Sequence, residues 1–356
     1  MLRESAEQTA LTGTPDRYLL ADVRASGLLG TAVPVAFGGA GGGPSEVNCL
    51  VAELAEVNPS IAIIAFQHFA VSARIAEWGS DELRAFILPR LADGTWLAAS
   101  AWSEPAAGAA KQNLASTAER LDDGRWVLNG AKSFTTGASL ADVYLVLVQS
   151  ARPGAGTGEV YGASGQTFFL VGGDNPGLVA DLGLDLAGMR GSATGFVTLQ
   201  DCVVGEEDQL GPEGRASQII AGVRDSGATL GAVAVGVAQS AFDLALDHAG
   251  RRGLLARPEV RHRLVALATR IESARAIVER AGARNSPFPG LTTLHSKLYA
   301  SEAAEEVCLE VARMLGSAGY VTGHALNRML ADARAVALMG PTNDLCRELV
   351  ATTWTN

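Results

Sequence analysis

The period of the hydrophobic pattern changes twice along the chain, and these two changes constrain the fold more than any single motif. From residue 14 to about 96 the pattern reads as helix, interrupted by the glycine-rich stretch Gly38 to Gly43. Ser80 reads as an N-cap, with Asp81 and Glu82 in the first turn, where the helix dipole favours acids. Pro89 and Gly94 close this segment. After Leu97, short apolar or alternating runs take over, at Arg125–Leu128, Val143–Val148, Thr167–Val171 and Phe196–Leu199. Turn formers such as Asp122-Asp123-Gly124 separate them, and residues 151–165, rich in Gly, Ala and Ser, read as an exposed loop. From about Arg215 the helical period returns. Val260, Leu264, Leu267, Ile271, Ala274 and Val278 fall on one face, further helices cover roughly 292–316 and 325–337, and Pro341 can open a last one.

Helix, then strand, then helix is an α+β order, with domains expected over 1–97, 98–207 and 208–356. The length of 356 residues suits two or three subdomains better than one compact core. A composition of 48% hydrophobic and 19% charged residues excludes wholesale disorder. The net charge of -10, without a basic stripe, argues against a nucleic-acid partner. Cys49, Cys202, Cys308 and Cys346 are scattered, which fits a reducing compartment and no zinc site. His68, His248, His262, His295 and His324 show no H-E-x-x-H spacing, so no metal is expected and surface or core roles are. No basic-then-apolar leader and no apolar run of about 20 residues is present, so the expectation is a cytoplasmic protein without a membrane span. Lysine occurs only at Lys111, Lys132 and Lys297, which reads as the mark of a GC-rich genome.

Four stretches resemble the acyl-CoA dehydrogenase family and together span nearly the whole chain. Pro34–Gly39, Gly79–Glu82 and Leu88–Gly94 are similar to its N-terminal domain. A phosphate loop is the rival reading of the glycines, but no GKS/T ending and no preceding apolar strand accompany them. The second stretch pairs Trp102-Ser103-Glu104-Pro105 and Gly108 with Asn129–Thr136. The resemblance implies flavin contacts from Trp102, Ser103, Phe134, Thr135 and Thr136: hydroxyls at the polar edge of the ring and an aromatic wall beside it. Gly188–Thr194 is similar to the family's R-x-S-x-T run. In the last region Arg251-Arg252 stands where the family has E-R, and Arg313–Tyr320 resembles Q-x-x-G-G-x-G-[YF]. These imply that Arg252, Arg313 and Gly316 meet the cofactor of a neighbouring subunit, with Thr342 as a further cofactor contact. The fold implied has an N-terminal helical domain, a middle β-barrel or sandwich and a C-terminal four-helix bundle. FAD is the implied cofactor, with FMN as the alternative, in a homodimer or homotetramer that passes electrons to an external acceptor.

The departures bear on chemistry. The family's catalytic Glu removes a proton beside the thioester, usually from an E-G-T run after R-D-A. Here Ala331-Asp332-Ala333-Arg334 matches the R-D-A region and Gly340 stands at the Glu position. The alternative position on an earlier helix falls on Ser226-Gly227. Asp225 next door is the nearest replacement base, although one residue along a helix turns by about 100°. General acid–base help is worth ~10² to 10⁴ in rate, so ordinary α,β-dehydrogenation requires either Asp225 or a different reaction. Phe66, in the region that ends the family's acyl tunnel, favours a short acyl chain, and Ala109 replaces a Ser that contacts the carrier. Some relatives in polyketide extender-unit pathways oxidise 2-hydroxy-3-oxopropionyl-ACP to hydroxymalonyl-ACP, chemistry that fits a lost base. The expectation is therefore oxidation of a small thioester on acyl carrier protein or CoA. The alternatives are a flavin monooxygenase on the same fold and an ordinary dehydrogenase with a relocated base.

Overall fold

The computed structural model describes residues 1–151 and 160–354, and the expected loop at 151–165 falls partly outside them. Helices α1 (Leu2–Thr12), α2 (Arg17–Ala25), α3 (Pro44–Val57), α4 (Pro59–Trp78) and α5 (Asp81–Ala92) form the first region. Ser80 caps α5 as expected, its hydroxyl accepting from Leu83 N at 3.1 Å. Pro89 lies inside α5 and does not end it. The helix runs three residues further because Leu88, Leu91 and Ala92 are buried, and that packing outweighs one missing N–H. Helical structure also starts earlier than residue 14: α1 is mostly polar, and its few buried residues, Ser5, Ala6 and Thr9, give little apolar period to read.

The sheet contains β1 (Ala98–Ala101), β2 (Thr117–Arg120), β3 (Trp126–Thr135), β4 (Val143–Gln149), β5 (Gln166–Gly172), β6 (Leu178–Asp181), β7 (Gly195–Val204) and β8 (Gln209–Leu210). The order is β6-β7-β3-β2-β4-β5-β8, with β1 added parallel to β4. β4 is buried on both faces, which explains its unbroken apolar run. Tyr144, Val146 and Val148 pack inward with Trp126, Phe169, Val197 and Leu199 from strands across the sheet. Val143, Leu145 and Leu147 face the helices, packing with Leu88, Leu91, Ile219 and Leu345. Because β8 pairs with β5 through Phe168 and Phe169, the sheet continues past residue 207.

The third region holds α6 (Ala216–Asp225), α7 (Gly231–Arg251), α8 (Pro258–Ala283), α9 (Pro289–Leu315), α10 (Ala325–Leu338) and α11 (Asn343–Ala351). Leu264, Leu267, Ile271, Ala274 and Val278 of α8 are buried on one face, as their spacing predicts. Pro341 does not open α11: Thr342 is the N-cap, its hydroxyl accepting from Leu345 N at 3.3 Å, and Pro341 sits outside the helix.

The two helical regions do not have separate cores. Val47, Val51, Leu54 and Ala55 of α3 share one cluster with Val233, Val237, Leu267, Ile271, Val307 and Val311 of α7, α8 and α9. α4 is long and apolar enough to cross a membrane by length and composition, but 72% of that window is buried within the protein, where it serves as a core helix. Close approach of α3 and α7 depends on Gly236. A Cβ there would meet Ala55 Cβ and Glu56 N, both at 2.7 Å, and would press still harder on Ala52 O. Gly236→Ala should therefore lower stability by about 1–3 kcal/mol, read as a shift of the urea midpoint at unchanged slope.

Candidate active site

The paired motifs at Trp102–Gly108 and Asn129–Thr136 meet in space. Ser133 N donates to Ser103 O at 2.8 Å. Beside that bond Lys132 Nζ lies 2.6 Å from Glu104 Oε1, with both side chains almost wholly buried. Glu104 also accepts from Ala115 N at 2.6 Å and Ser116 N at 3.1 Å, so one carboxylate fastens both ends of the 104–116 loop to β3. Burial pushes the Glu104 carboxyl up, but Lys132 and the two N–H groups hold it below its ordinary range. We read the pair as ionised. The sequence reading included both residues in its motifs but did not pair them; 28 residues apart on different elements, they carry no local signal.

The end of β3 presents unused groups. Phe134 has φ 53° and its ring is 63% exposed, although it borders a well-packed sheet. Thr135 Oγ1 and Trp102 Nε1 are buried without a hydrogen-bond partner among the described residues. Ser103 is half-buried, and Thr136 Oγ1 pairs with Thr194 Oγ1 at 3.2 Å. Thr194 in turn bonds Ser192 at 2.8 Å, while Gly137 N and Ala138 N donate to Ser192 O and Ala193 O. The Gly188–Thr194 run thus lies against the same end of β3. Orphaned donors beside an outward-held aromatic fit a flat heteroaromatic ligand with a polar edge, and a flavin ring meets that description.

A second set of groups surrounds Gly340. Lys297, buried in α9, donates from Nζ to Ala337 O and Met339 O at 3.2 Å and to Pro341 O and Asn343 Oδ1 at 2.8 Å. One ammonium thereby satisfies the carbonyls left over at the end of α10 and holds the turn carrying Gly340. Gly340 itself is exposed. A Cβ built there would lie 3.4 Å from Lys111 Nζ and 3.7 Å from Tyr161 Oη, with no other described atom beyond the chain neighbours Met339 and Pro341 within 4 Å. Lys111 is 3% exposed, donates to Ala109 O at 3.2 Å and Tyr161 Oη at 3.3 Å, and has a left-handed backbone with φ 53°. Burial pushes its amine down to about 8 and the Tyr161 phenol up. Neither residue stands out in the sequence, because each acquires meaning only through the other and through Gly340.

Asp225 is not among these groups. It is exposed at the end of α6, with its carboxylate against Gly290 in the first turn of α9, a dipole-partner position. Ser226 closes α6, its hydroxyl donating to Val223 O at 2.7 Å. The Thr342 hydroxyl accepts at the α11 cap. Arg252, at the end of α7, and Arg313 are both exposed; Arg313 pairs with Glu310 at 3.1 Å, and Gly316 ends α9 with φ 58°. Phe66 is half-buried against the shared helical core, and Ala109 contributes its carbonyl to Lys111.

Glu104→Gln leaves Lys132 buried without a counter-charge and should cost about 3–5 kcal/mol in denaturant unfolding. The wild-type contribution is complete above the ordinary Glu value of 4.5 and is lost as the pH falls through the lower folded value. The stability gap between the two proteins should therefore narrow in acid.

Three domain descriptions of one family match the chain in order: acyl-CoA dehydrogenase N-terminal domain at residues 2–95, middle domain at 99–202 and C-terminal domain at 218–354. Cyclohexane-1-carbonyl-CoA dehydrogenase of Geobacter metallireducens is 31% identical over 98% of this chain and 91% of its own. L-prolyl-[peptidyl-carrier protein] dehydrogenase of Pseudomonas fluorescens is 31% identical over 97% of this chain and 93% of its own. The structure of butyryl-CoA dehydrogenase from Megasphaera elsdenii superposes with a TM-score of 0.89 at 25% identity, covering 100% of this chain and 94% of that one. With motifs, fold and all three domains in agreement, the chain belongs to the acyl-CoA dehydrogenase family of flavin oxidoreductases.

Proposed function

We propose that this chain is an FAD-dependent oxidoreductase that oxidises a small acyl group held as a thioester on an acyl carrier protein. The reaction assigned is conversion of 2-hydroxy-3-oxopropionyl-ACP to hydroxymalonyl-ACP. One observation carries this reading: the family's base position is Gly340, and the space it opens meets an amine and a phenol, with no carboxylate of the described residues within 4 Å. Proton removal from the α carbon by a carboxylate at that position has no residue to perform it. Oxidation of an aldehyde hydrate does not need it, because the proton lost comes from oxygen. The relative named for a peptidyl-carrier-protein substrate supports a carrier-bound thioester.

When bound, FAD would supply the two-electron acceptor. Ser103, Thr135 and Thr136 would hydrogen-bond its polar edge, and Trp102 and Phe134 would wall its ring. Arg252 and Arg313, both exposed, suit the cofactor phosphates of a neighbouring subunit in a homodimer or homotetramer.

Purified protein should be yellow and release FAD on denaturation; a protein that stays colourless after incubation with FAD and FMN would overturn the reading. Anaerobically, butyryl-CoA and octanoyl-CoA should leave the flavin oxidised, whereas a three-carbon hydroxylated acyl-ACP should bleach it. Fast bleaching by butyryl-CoA that disappears in Asp225→Asn would establish ordinary dehydrogenation with a relocated base. A requirement for a flavin reductase and O₂ would make the protein a monooxygenase. Light scattering should give a dimer or tetramer, and a monomer that retains FAD tightly would contradict the roles given to the two arginines.

A further inference from the structure

The Gly340 opening has the wrong charge for the family's usual arrangement. A glutamate there would project toward Lys111 Nζ, only 3.4 Å from its Cβ. Among the described residues the cation is there and the anion is not. Lys297, equally buried, fills its donors on four neutral oxygens, whereas among the described residues Lys111 Nζ has only a carbonyl and a phenol and no counter-charge. An ammonium has three donors, and two are used. The phenol of Tyr161 accepts from Lys111, which leaves its own proton free to donate into the same opening.

The surroundings reinforce the imbalance. The Lys111 charge acts on Lys132, which Glu104 already neutralises. Around Tyr161 the described charges are Arg224 and, were it ionised, the Cys346 thiol, whose own pKa burial pushes up. Among the described residues, no carboxylate faces the pair. The loop is also built to hold the lysine in place. Gln166 Nε2 donates to Lys111 O at 2.8 Å, Gly162 N donates to Ala110 O at 2.7 Å, and the left-handed backbone at Lys111 is a conformation that costs energy unless its surroundings impose it.

We infer that Lys111 and Tyr161 form a receptor for a carboxylate at the far end of a short acyl thioester, which occupies the space that Gly340 leaves open. The ligand brings the anion that no described residue supplies. This inference rests on the thioester reading above and adds the recognition element for it: the residues that hold the carboxylate of the half-thioester product, and of malonyl half-thioesters as ligands. Recognition is by a charge-assisted hydrogen bond from the ammonium and a second hydrogen bond from the phenol. The neutral substrate form would leave the buried ammonium without a counter-charge, so the anionic product is the form held more tightly.

The test compares malonyl-pantetheine with its methyl ester, a neutral analogue of nearly the same shape, by calorimetry on the flavin-loaded protein. At pH 7 the acid should bind more tightly, by roughly 10- to 100-fold for a hydrogen bond to a charged group. Lys111→Met should abolish that preference, and Tyr161→Phe should reduce it. With the amine near 8 before binding, the preference should fade as the pH rises through about 8, and binding there should take up a proton. Gly340→Glu gives an independent variant, because the Cβ contacts are ordinary ones; its internal carboxylate should pair with Lys111 and remove the preference without disturbing the fold. Equal binding of acid and ester by wild type, or a preference that survives in Lys111→Met, overturns the inference and leaves the thioester reading standing. Binding of neither compound overturns both.

Discussion

Both halves of the site depend on the ion pair between Glu104 and Lys132. The loop from Glu104 to Ser116 contains Ala106, Ala107, Gly108, Ala109 and Ala110, which have almost no side-chain surface with which to hold themselves in place. It carries Trp102 and Ser103 at its root and Lys111 at its middle. Burying two charges is expensive, and their attraction repays the cost only where the remaining hydrogen-bonding capacity is also filled. The two N–H donors from Ala115 and Ser116 fill it. One interaction therefore sets the Phe134 end of β3 and the cationic floor beneath Gly340.

The other wall of the site comes from helices. α7 is rich in alanine, glycine and valine, so α3 and α9 can approach it closely, and the first and last regions of the chain close over one core. The turn at Gly340 is fixed to that core through Lys297, whose four bonds reach carbonyls and one amide oxygen across residues 337–343. Gly340 is held where it stands because the carbonyls on either side of it are bound. The glycine is a positioned opening, with Lys111 across from it.

Much of this was legible in the sequence. The two changes of hydrophobic period gave the order of helix, sheet and helix, and β4 could be read because burial on both faces leaves an uninterrupted apolar run. The Ser103 and Phe134 motifs were recognisable, and the structure joins them through a single backbone bond. The misread points share a physical cause. Pro89 and Pro341 were taken as local punctuation, but tertiary packing carried α5 through the first, and the Thr342 cap displaced the start of α11 past the second. Asp225 was a neighbour in sequence that the helix turned toward α9. Lys111 was invisible because a lone lysine in an alanine-rich loop has no pattern; its significance arises from residues 50 and 229 positions away.

The scarcity of lysine also looks different from inside the fold. All three lysines are buried, at 3%, 0% and 3% exposure, while arginine carries the outer positive charge. Each amine sits at a joint: Lys132 under the end of β3, Lys297 behind the Gly340 turn, and Lys111 in the opening. Arginine could not replace them without a larger, planar head group and a charge that never dissociates. One consequence concerns covalent chemistry. Lys132 and Lys297 present no amine to an acylating or cross-linking reagent in solvent, so modification of either would report opening of the interior, and the amine reached first would identify which joint opens.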